Sequence, residues 1–360
     1  MSIGFRLDSE GRIVAKLKIA LDAMGGDFAP REIVLGAVAA CRECGVAVIL
    51  VGDEVVLKEE LQGQNLTGLK LEIHHTTETI TMDEHPANAV RRKKDASLVV
   101  ANRLVKQGTA AAVISAGNTG AAMTASLLGL GRLPGVERPA IATPMPTENG
   151  VCVFLDAGAN ADCDPENLAQ FALMGAVYAE KALNLRTPRI GLLSIGEEET
   201  KGNKLTVAAH QLLKRSGLNF IGNVEGRDIH RGVCDVVVCD GFVGNVVLKL
   251  TEGLASVLFG KIKTAINSNF GTKIGGLLLK RAFLELKTQL DDTEYGGAPL
   301  LGLNGVSIIS HGNSNAKAVK NAILAARRAV EQDVAGTIAS ALTVLKESNC
   351  GEVKNCPLTQ

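Results

Sequence analysis

The chain has 360 residues, 38 basic and 38 acidic, so its formal net charge is +0 and no global field draws it to nucleic acid. Apolar residues make up 46% and aromatics only 3%, so a sizeable core has to be built from Ala, Val, Ile and Leu. The opening MSIGFRLDSEGR lacks the apolar stretch of a secretory signal, and the eight cysteines read as reduced thiols of a cytoplasmic protein, not as a disulfide framework.

Short apolar runs alternate with helical patterns, the signature of βαβ units around a mostly parallel sheet. After an extension over 1–17, a strand is predicted at 18–24 (KIALDAM), then a helix over about 30–43 entered at Pro30. Strands at 46–53 and 69–77 precede a helix over 87–106, entered at Pro86. Gln107 to Gly131 carries no charge and is long enough for a bilayer, but its glycines, Asn118 and threonines read instead as strand (111–117), polar turn and small-residue helix. Strands follow at 140–146 and 151–158, and Asp164-Pro165-Glu166 opens a helix with a cap, a proline and an acid. Further strands are predicted at 189–196, 219–226, 235–241 and 305–312, and a last helix over 315–346 with a break near Gly336. Residues 18–346 form one α/β domain in this reading, with a tail at 347–360.

Residues 254–290 stand apart as an inserted helical hairpin. Leu254, Leu258, Ile262 and Ile266 fall four apart, and after a turn at Asn269–Gly271 the stripe continues through Ile274, Leu277, Leu278, Ala282 and Leu286. Six basic residues, among them Lys261, Lys273, Lys280 and Arg281, accompany one acid, Glu285. The pattern fits a core-facing pair with a solvated basic face, or a protruding amphipathic hairpin that meets an anionic membrane or an acidic protein.

In open parallel sheets, ligands sit beyond the carboxyl ends of the strands. Small and polar residues recur there: Asp22-Ala-Met-Gly25-Gly26-Asp27, Ser115-Ala-Gly117-Asn118-Thr119-Gly120, Asp156-Ala-Gly-Ala-Asn160 and Asp240-Gly-Phe-Val-Gly-Asn245. Glycines let backbone N–H groups approach an anion, and a helix N-terminus adds positive potential, although tight strand-to-helix turns need glycine anyway. Lys201 and Lys204, around Asn203, could meet phosphate or an oxyanion; either could equally be a solvated first-turn lysine. Arg91 to Lys94 form a basic run read as mostly solvent-facing, and His85 and His311 lie beside turns. GxxxxGK[ST], GxGxxG and HExxH are absent, and Gly191 to Gly196 has one residue too many before Ser194 for a nucleophile elbow. Cys41 and Cys44 have metal-like spacing but no second pair answers them, so no metal site is read.

These loops, in this order, resemble the phosphate acyltransferase family. The resemblance rests on LDAMGGDFAP (21–30), HPANAVRRKKDASL (85–98), ISAGNTGAAM (114–123), GLGRLPGVERPAIATPMPT (129–147) and VFLDAGAN (153–160). It continues through GLLSIGEEETKGN (191–203), NVEGRDI (223–229) and CDGFVGNVVLKLTEG (239–253), and covers roughly Lys18 to Arg328. GGAPLLGLNG (296–305) and SHGNS (310–314) are also similar to phosphotransacetylases. The resemblance implies transfer of a fatty acyl group from acyl carrier protein to inorganic phosphate, with no cofactor, feeding phospholipid (phosphatidic acid) synthesis. It also implies a three-layer α/β/α sandwich like that of isocitrate and isopropylmalate dehydrogenases, in a homodimer. The hairpin matches a region associated with peripheral membrane attachment, and an acyl-phosphate:glycerol-3-phosphate acyltransferase would act downstream. No nucleic-acid partner is implied.

Phosphate is itself the nucleophile in that reaction, so no activated Ser or Cys is needed. Backbone N–H groups at Gly25–Gly26 and Gly117–Gly120 are candidates to cradle it, and Lys204 with Asn118 and Asn203 to neutralise charge. Asp22, Asp27 and Asp240 would orient these groups; Ser115, Thr119, Asp156, Asn160, Asn245 and His311 complete the predicted set. The carrier or membrane contact is expected at Leu258, Lys261, Ile262, Ile266, Lys273, Leu277, Lys280 and Arg281. Alternatives are a phosphotransacetylase-like enzyme using coenzyme A, a nicotinamide- and metal-dependent dehydrogenase on a related fold, and a non-catalytic scaffold.

Overall fold

A computed structural model describes residues 17–283 and 296–353, with side chains to 343. Among them, twelve strands divide between two sheets. The first holds β1 (Lys18–Asp22), β2 (Ala47–Gly52), β3 (Leu71–His75), β4 (Ala112–Ser115), β5 (Ala140–Ile141), β11 (Ala298–Leu301) and β12 (Val306–Ile309), in the order β3-β2-β1-β4-β12-β11-β5. The second holds β6 (Thr143–Thr147), β7 (Gly150–Leu155), β8 (Ile190–Leu193), β9 (Phe220–Val224) and β10 (Val236–Val238), in the order β6-β7-β10-β8-β9. Pairing is parallel except at β11 with its two neighbours and at β6 with β7. The mostly parallel α/β reading therefore stands, but the one expected sheet is two.

Burial on both faces explains the unbroken apolar strands. Ile19 and Leu21 of β1 point into a cluster with helices α1 (Arg31–Cys44) and α11 (Ala316–Glu331). Ala20, between them, points the other way, into a cluster with α4 (Ser97–Lys106) and α5 (Thr119–Leu130). That second cluster also takes Phe154 of β7 and Val237 of β10, so apolar packing runs from one sheet to the other. The far face of the second sheet, Val153, Leu155, Val236 and Val238, packs with α6 (Pro165–Leu183) and α12 (Val334–Val353).

The predicted strand at 140–146 splits at Ala142, because Pro144 and Pro146 cannot donate to a ladder on each side. β6 is accordingly an edge strand paired only with β7, while Ile141 stays in the first sheet opposite Leu300. The helix expected over 87–106 is two, α3 (Pro86–Arg92) and α4, interrupted where Ala96 bridges to Glu78. The last helix breaks at Asp333, which has a φ of 45° and whose carboxylate accepts the Gly336 N–H. β11 lay unread within a glycine-rich motif. α2 (Glu54–Glu60), α7 (Lys204–Lys214) and α8 (Gly226–Arg231) are further helices of the body. α9 runs from Gly241 to Asn267, starting thirteen residues before the predicted 254, and α10 (Phe270–Leu278) follows a cap at Asn269. The rest of the predicted hairpin from 284, most of the extension and the end of the tail lie outside the described residues.

Asp156 sits just past the carboxyl end of β7, and it is fully buried. Its Oδ1 accepts N–H groups of Ile141 (3.0 Å), Gly158 (3.3 Å) and Ala159 (3.0 Å); its Oδ2 accepts the backbone N–H (2.7 Å) and side-chain Nδ2–H (2.8 Å) of Asn160. The carboxylate thus ties the end of β7 to β5 of the other sheet. Removing a buried acceptor leaves its donors unpaired, at about 1–3 kcal/mol for a group. Asp156→Ala is expected to lower the unfolding free energy by about 3 kcal/mol or more in urea, and Asp156→Asn by less, since one acceptor oxygen survives.

Candidate active site

The carboxyl ends of β1, β4 and β12 carry three loops that touch one another. Asp22, buried at the end of β1, accepts the Ser97 hydroxyl (2.6 Å) and Met24 N–H (3.3 Å) at Oδ1 and the Ser115 hydroxyl (2.7 Å) at Oδ2. A Cβ at Gly25 would lie 2.5 Å from Asp22 Oδ2 and 3.0 Å from Gly117 N, so only glycine lets these two loops approach so closely. Asp27 N–H donates to Gly312 O (2.8 Å), and Ser310 N–H to Ser115 O (2.8 Å), which brings in the loop after β12.

These loops border a cavity of about 300 Å³ at the junction of the two sheets, within the range of small-ligand sites. Its polar side comprises Thr119, Thr143, Asn245, Lys249, Glu252, Ser310 and His311, and its apolar side includes Met82, Ile141, Leu248, Ala298 and Ile309. Lys249 Nζ is held 2.7 Å from Glu252 Oε2 and 3.4 Å from His311 Nε2. Ser310 is 5% exposed, and its hydroxyl has no hydrogen-bond partner among the described residues. The hydroxyl oxygen is itself buried, so it is an unsatisfied polar group within the cavity wall and not an exposed donor. Thr119 opens α5; the Asn118 cap takes the Ala121 N–H, which leaves the Thr119 and Gly120 N–H groups of the first turn to suit an anion.

The predicted residues fall into separate groups. Thr119, Asn245 and His311 line the cavity, and Gly26 and Asp27 lie against Gly312 beside it. Asp22, Gly25, Ser115 and Gly117 form the frame beneath, turned inward on one another. Asn118 caps α5 through Ala121 N–H (3.0 Å) and donates to Met82 O (3.0 Å) and Glu84 O (3.3 Å), while Gly120 packs against Pro86. Asp156 and Asn160 serve the tie between sheets. Asp240 caps α9 through Val243 N–H (2.9 Å), and Asn203 caps α7 through Thr206 N–H (2.9 Å). Lys204, first residue of α7, is exposed; neither it nor Asn203 is among the cavity's lining residues.

The helix pair is not core-facing: Gly241 and Gly244 are the only buried residues of α9, and none of α10 is buried. Leu258 and Leu277 are 55% and 71% exposed, Lys261 and Lys273 are exposed, and Lys280 and Arg281 lie just past α10. Ile262 and Ile266 are half-buried, with Ile266 against Gly276.

Lys249, Glu252 and Ser310 escaped the sequence reading. Asn245, Leu248, Lys249 and Glu252 stand at i, i+3, i+4 and i+7, one face of a helix; starting that helix at the Asp240 cap would have found them.

Residues 17–337 match a family profile described as fatty acid synthesis protein. The chain is 55% identical to a phosphate acyltransferase of Pelotomaculum thermopropionicum over 335 residues, covering 93% of this chain and 98% of that one. It is 51% identical to a phosphate acyltransferase of Elusimicrobium minutum, over 92% of this chain and 97% of that one. In shape it is similar to a phosphotransacetylase from Streptococcus pyogenes, with a TM-score of 0.59 at 19% identity, covering 88% of this chain and 95% of that chain.

Burial raises the Asp22 carboxyl above its ordinary 3.8, against the hydrogen bonds from Ser97, Ser115 and the backbone. The folded state therefore holds this proton more tightly than the unfolded state. Asp22's contribution to stability is full below the ordinary value and is lost as pH rises through the folded one. Asp22→Asn is expected to flatten the fall of unfolding free energy as pH rises above the carboxyl's ordinary 3.8, measured by urea titration. An unchanged slope would remove Asp22 from the pH dependence.

Proposed function

Because this chain belongs to the phosphate acyltransferase family, enzymes that move an acyl group to phosphate for phospholipid synthesis, we propose that the cavity between its two sheets holds phosphate against the acyl donor. The observation that carries this reading is Lys249 beside His311 on the wall of one cavity at the mouth of α5. Phosphate would take the uncapped α5 N–H groups as donors, with the Lys249 ammonium as counter-charge. Glu252 and His311 hold that ammonium in place before phosphate arrives. A phosphate oxygen then attacks the thioester carbonyl. The C–O bond forms as the C–S bond breaks, and the thiolate leaves with the proton that phosphate gives up. Positioning and charge stabilisation suffice, since the nucleophile is the substrate itself. Met82, Leu248, Ala298 and Ile309 give the first methylenes of the acyl chain an apolar wall.

The donor in this reading is acyl carrier protein. The phosphotransacetylase-like shape keeps coenzyme A as a second donor reading, and parallel assays with each thioester separate the two. The dehydrogenase reading gains no support: among the described residues no three His, Cys, Asp or Glu converge as metal ligands. The exposed leucines of α9 and α10, set among lysines, suit contact with an anionic membrane from the cytoplasmic side. α9 is long and apolar enough to span a bilayer, but its first turns bear Lys249 and Glu252 in the cavity, so a surface contact is the reading adopted. A homodimer, and hand-over of acyl phosphate to a glycerol-3-phosphate acyltransferase, complete the proposal. Lys204 with Asn203 is kept as a second cationic site, at the carboxyl end of β8.

Lys249→Ala is expected to cut acyl phosphate formation from labelled phosphate by about 100-fold or more with thermal stability retained, and Lys204→Ala to cut it less. Wild-type turnover in Lys249→Ala would refute the assignment. Absence of acyl phosphate from the wild-type protein with both donors would refute the function.

A further inference from the structure

We propose that the exposed basic edge formed by Arg91, Arg92 and Lys94 is a docking surface for the acidic protein that carries the acyl donor. The proposal rests on the reading of the chain as a carrier-dependent phosphate acyltransferase.

α3 turns Ala89 and Val90 inward and leaves Arg91 and Arg92 exposed, with Lys94 exposed just beyond it. These three cations make no ion pair among the described residues, although acids lie close by. Each of those acids is engaged elsewhere. Glu84 Oε1 takes Lys93 Nζ (2.6 Å), Glu78 Oε2 accepts Asp95 N–H (3.0 Å), and Asp95 Oδ2 accepts both the N–H and the hydroxyl of Thr77 (2.8 Å each). Lys93, bonded also to Thr79 O (2.7 Å), pins the end of the helix, so the neighbouring charges are presented on a fixed base.

This edge is joined to the cavity. Met82, on the cavity wall, precedes α3 by four residues, and the Asn118 amide holds Met82 O and Glu84 O. A second cavity of about 430 Å³, lined by Glu84, His85, Asn88 and Arg92, lies at α3 itself. A donor protein seated on the basic edge would thus have room beside it for the linker that carries the thioester. Fixed charges at such a rim steer encounter and orientation, and their effect falls with salt. The surface fits a protein and not a bilayer, because α3 exposes no apolar side chain for insertion; α9 and α10 do.

The test is the triple variant Arg91→Glu/Arg92→Glu/Lys94→Glu of the full chain, checked for an unchanged thermal midpoint. Binding is read by anisotropy of labelled palmitoyl-acyl carrier protein, and turnover with that donor and with the small neutral thioester palmitoyl-N-acetylcysteamine. The Kd and KM for the carrier donor are expected to rise about tenfold or more, with kcat and both constants for the small thioester within about twofold. Anionic vesicles are expected to sediment equally with wild type and variant. Unchanged carrier binding, no carrier binding by the wild type, or an equal loss with both donors overturns the docking surface. So does loss of vesicle binding with carrier binding intact, which would assign the edge to a membrane. Carrier binding that weakens in the variant while the wild type yields no acyl phosphate from either donor would support the surface and refute the catalytic reading.

Discussion

One buried carboxylate, Asp156, accepts five N–H groups at the place where the two sheets meet. Burial pushes its proton affinity up while the surrounding donors pull it down, so its charge is tolerable only because every oxygen lone pair has work. The loop it organises is also the floor for α9. Asn160 O accepts the Gly241 N–H (2.8 Å), and Gly244 lies directly against the Asp156 carbonyl. Lys249 stands on that same helix. The cation of the cavity is therefore positioned, through α9, by the tie between the sheets.

Most strands were legible because strands buried on both faces carry unbroken β-branched runs, as in VVV at 236–238. The division into two sheets was not legible. It turns on Pro144 and Pro146 making β6 an edge, and on Asp156 reaching back to Ile141, a contact fifteen positions away that no local pattern announces. The same ambiguity blurred the site. Asn118, Asn203 and Asp240 each follow a strand and begin a helix, where a short polar side chain serves equally as a cap or as a ligand. The structure shows all three capping. Asp156 belongs to the predicted binding set and Asp22 to the groups that orient it; both turn inward to hold loops.

The glycine-rich strand ends did lead to a cavity. Four glycine-rich loops after strands read as a place for an anion, and all four border one cavity or its frame. The missing part was charge. Lys249 reaches the cavity only because α9 meets the loop after β12 there, with its Nζ 3.4 Å from His311 Nε2. The neutral total charge likewise concealed a separation of surfaces, with an apolar and basic helix pair in one place and a basic edge on α3 in another.

The claim that phosphate is bound between the sheets is tested most directly by amide hydrogen exchange during titration with inorganic phosphate. Protection is expected at residues 25–27, 117–120 and 310–312, rising together with a single affinity. Protection confined to the start of α7 around Lys204, or none at saturating phosphate, would contradict it.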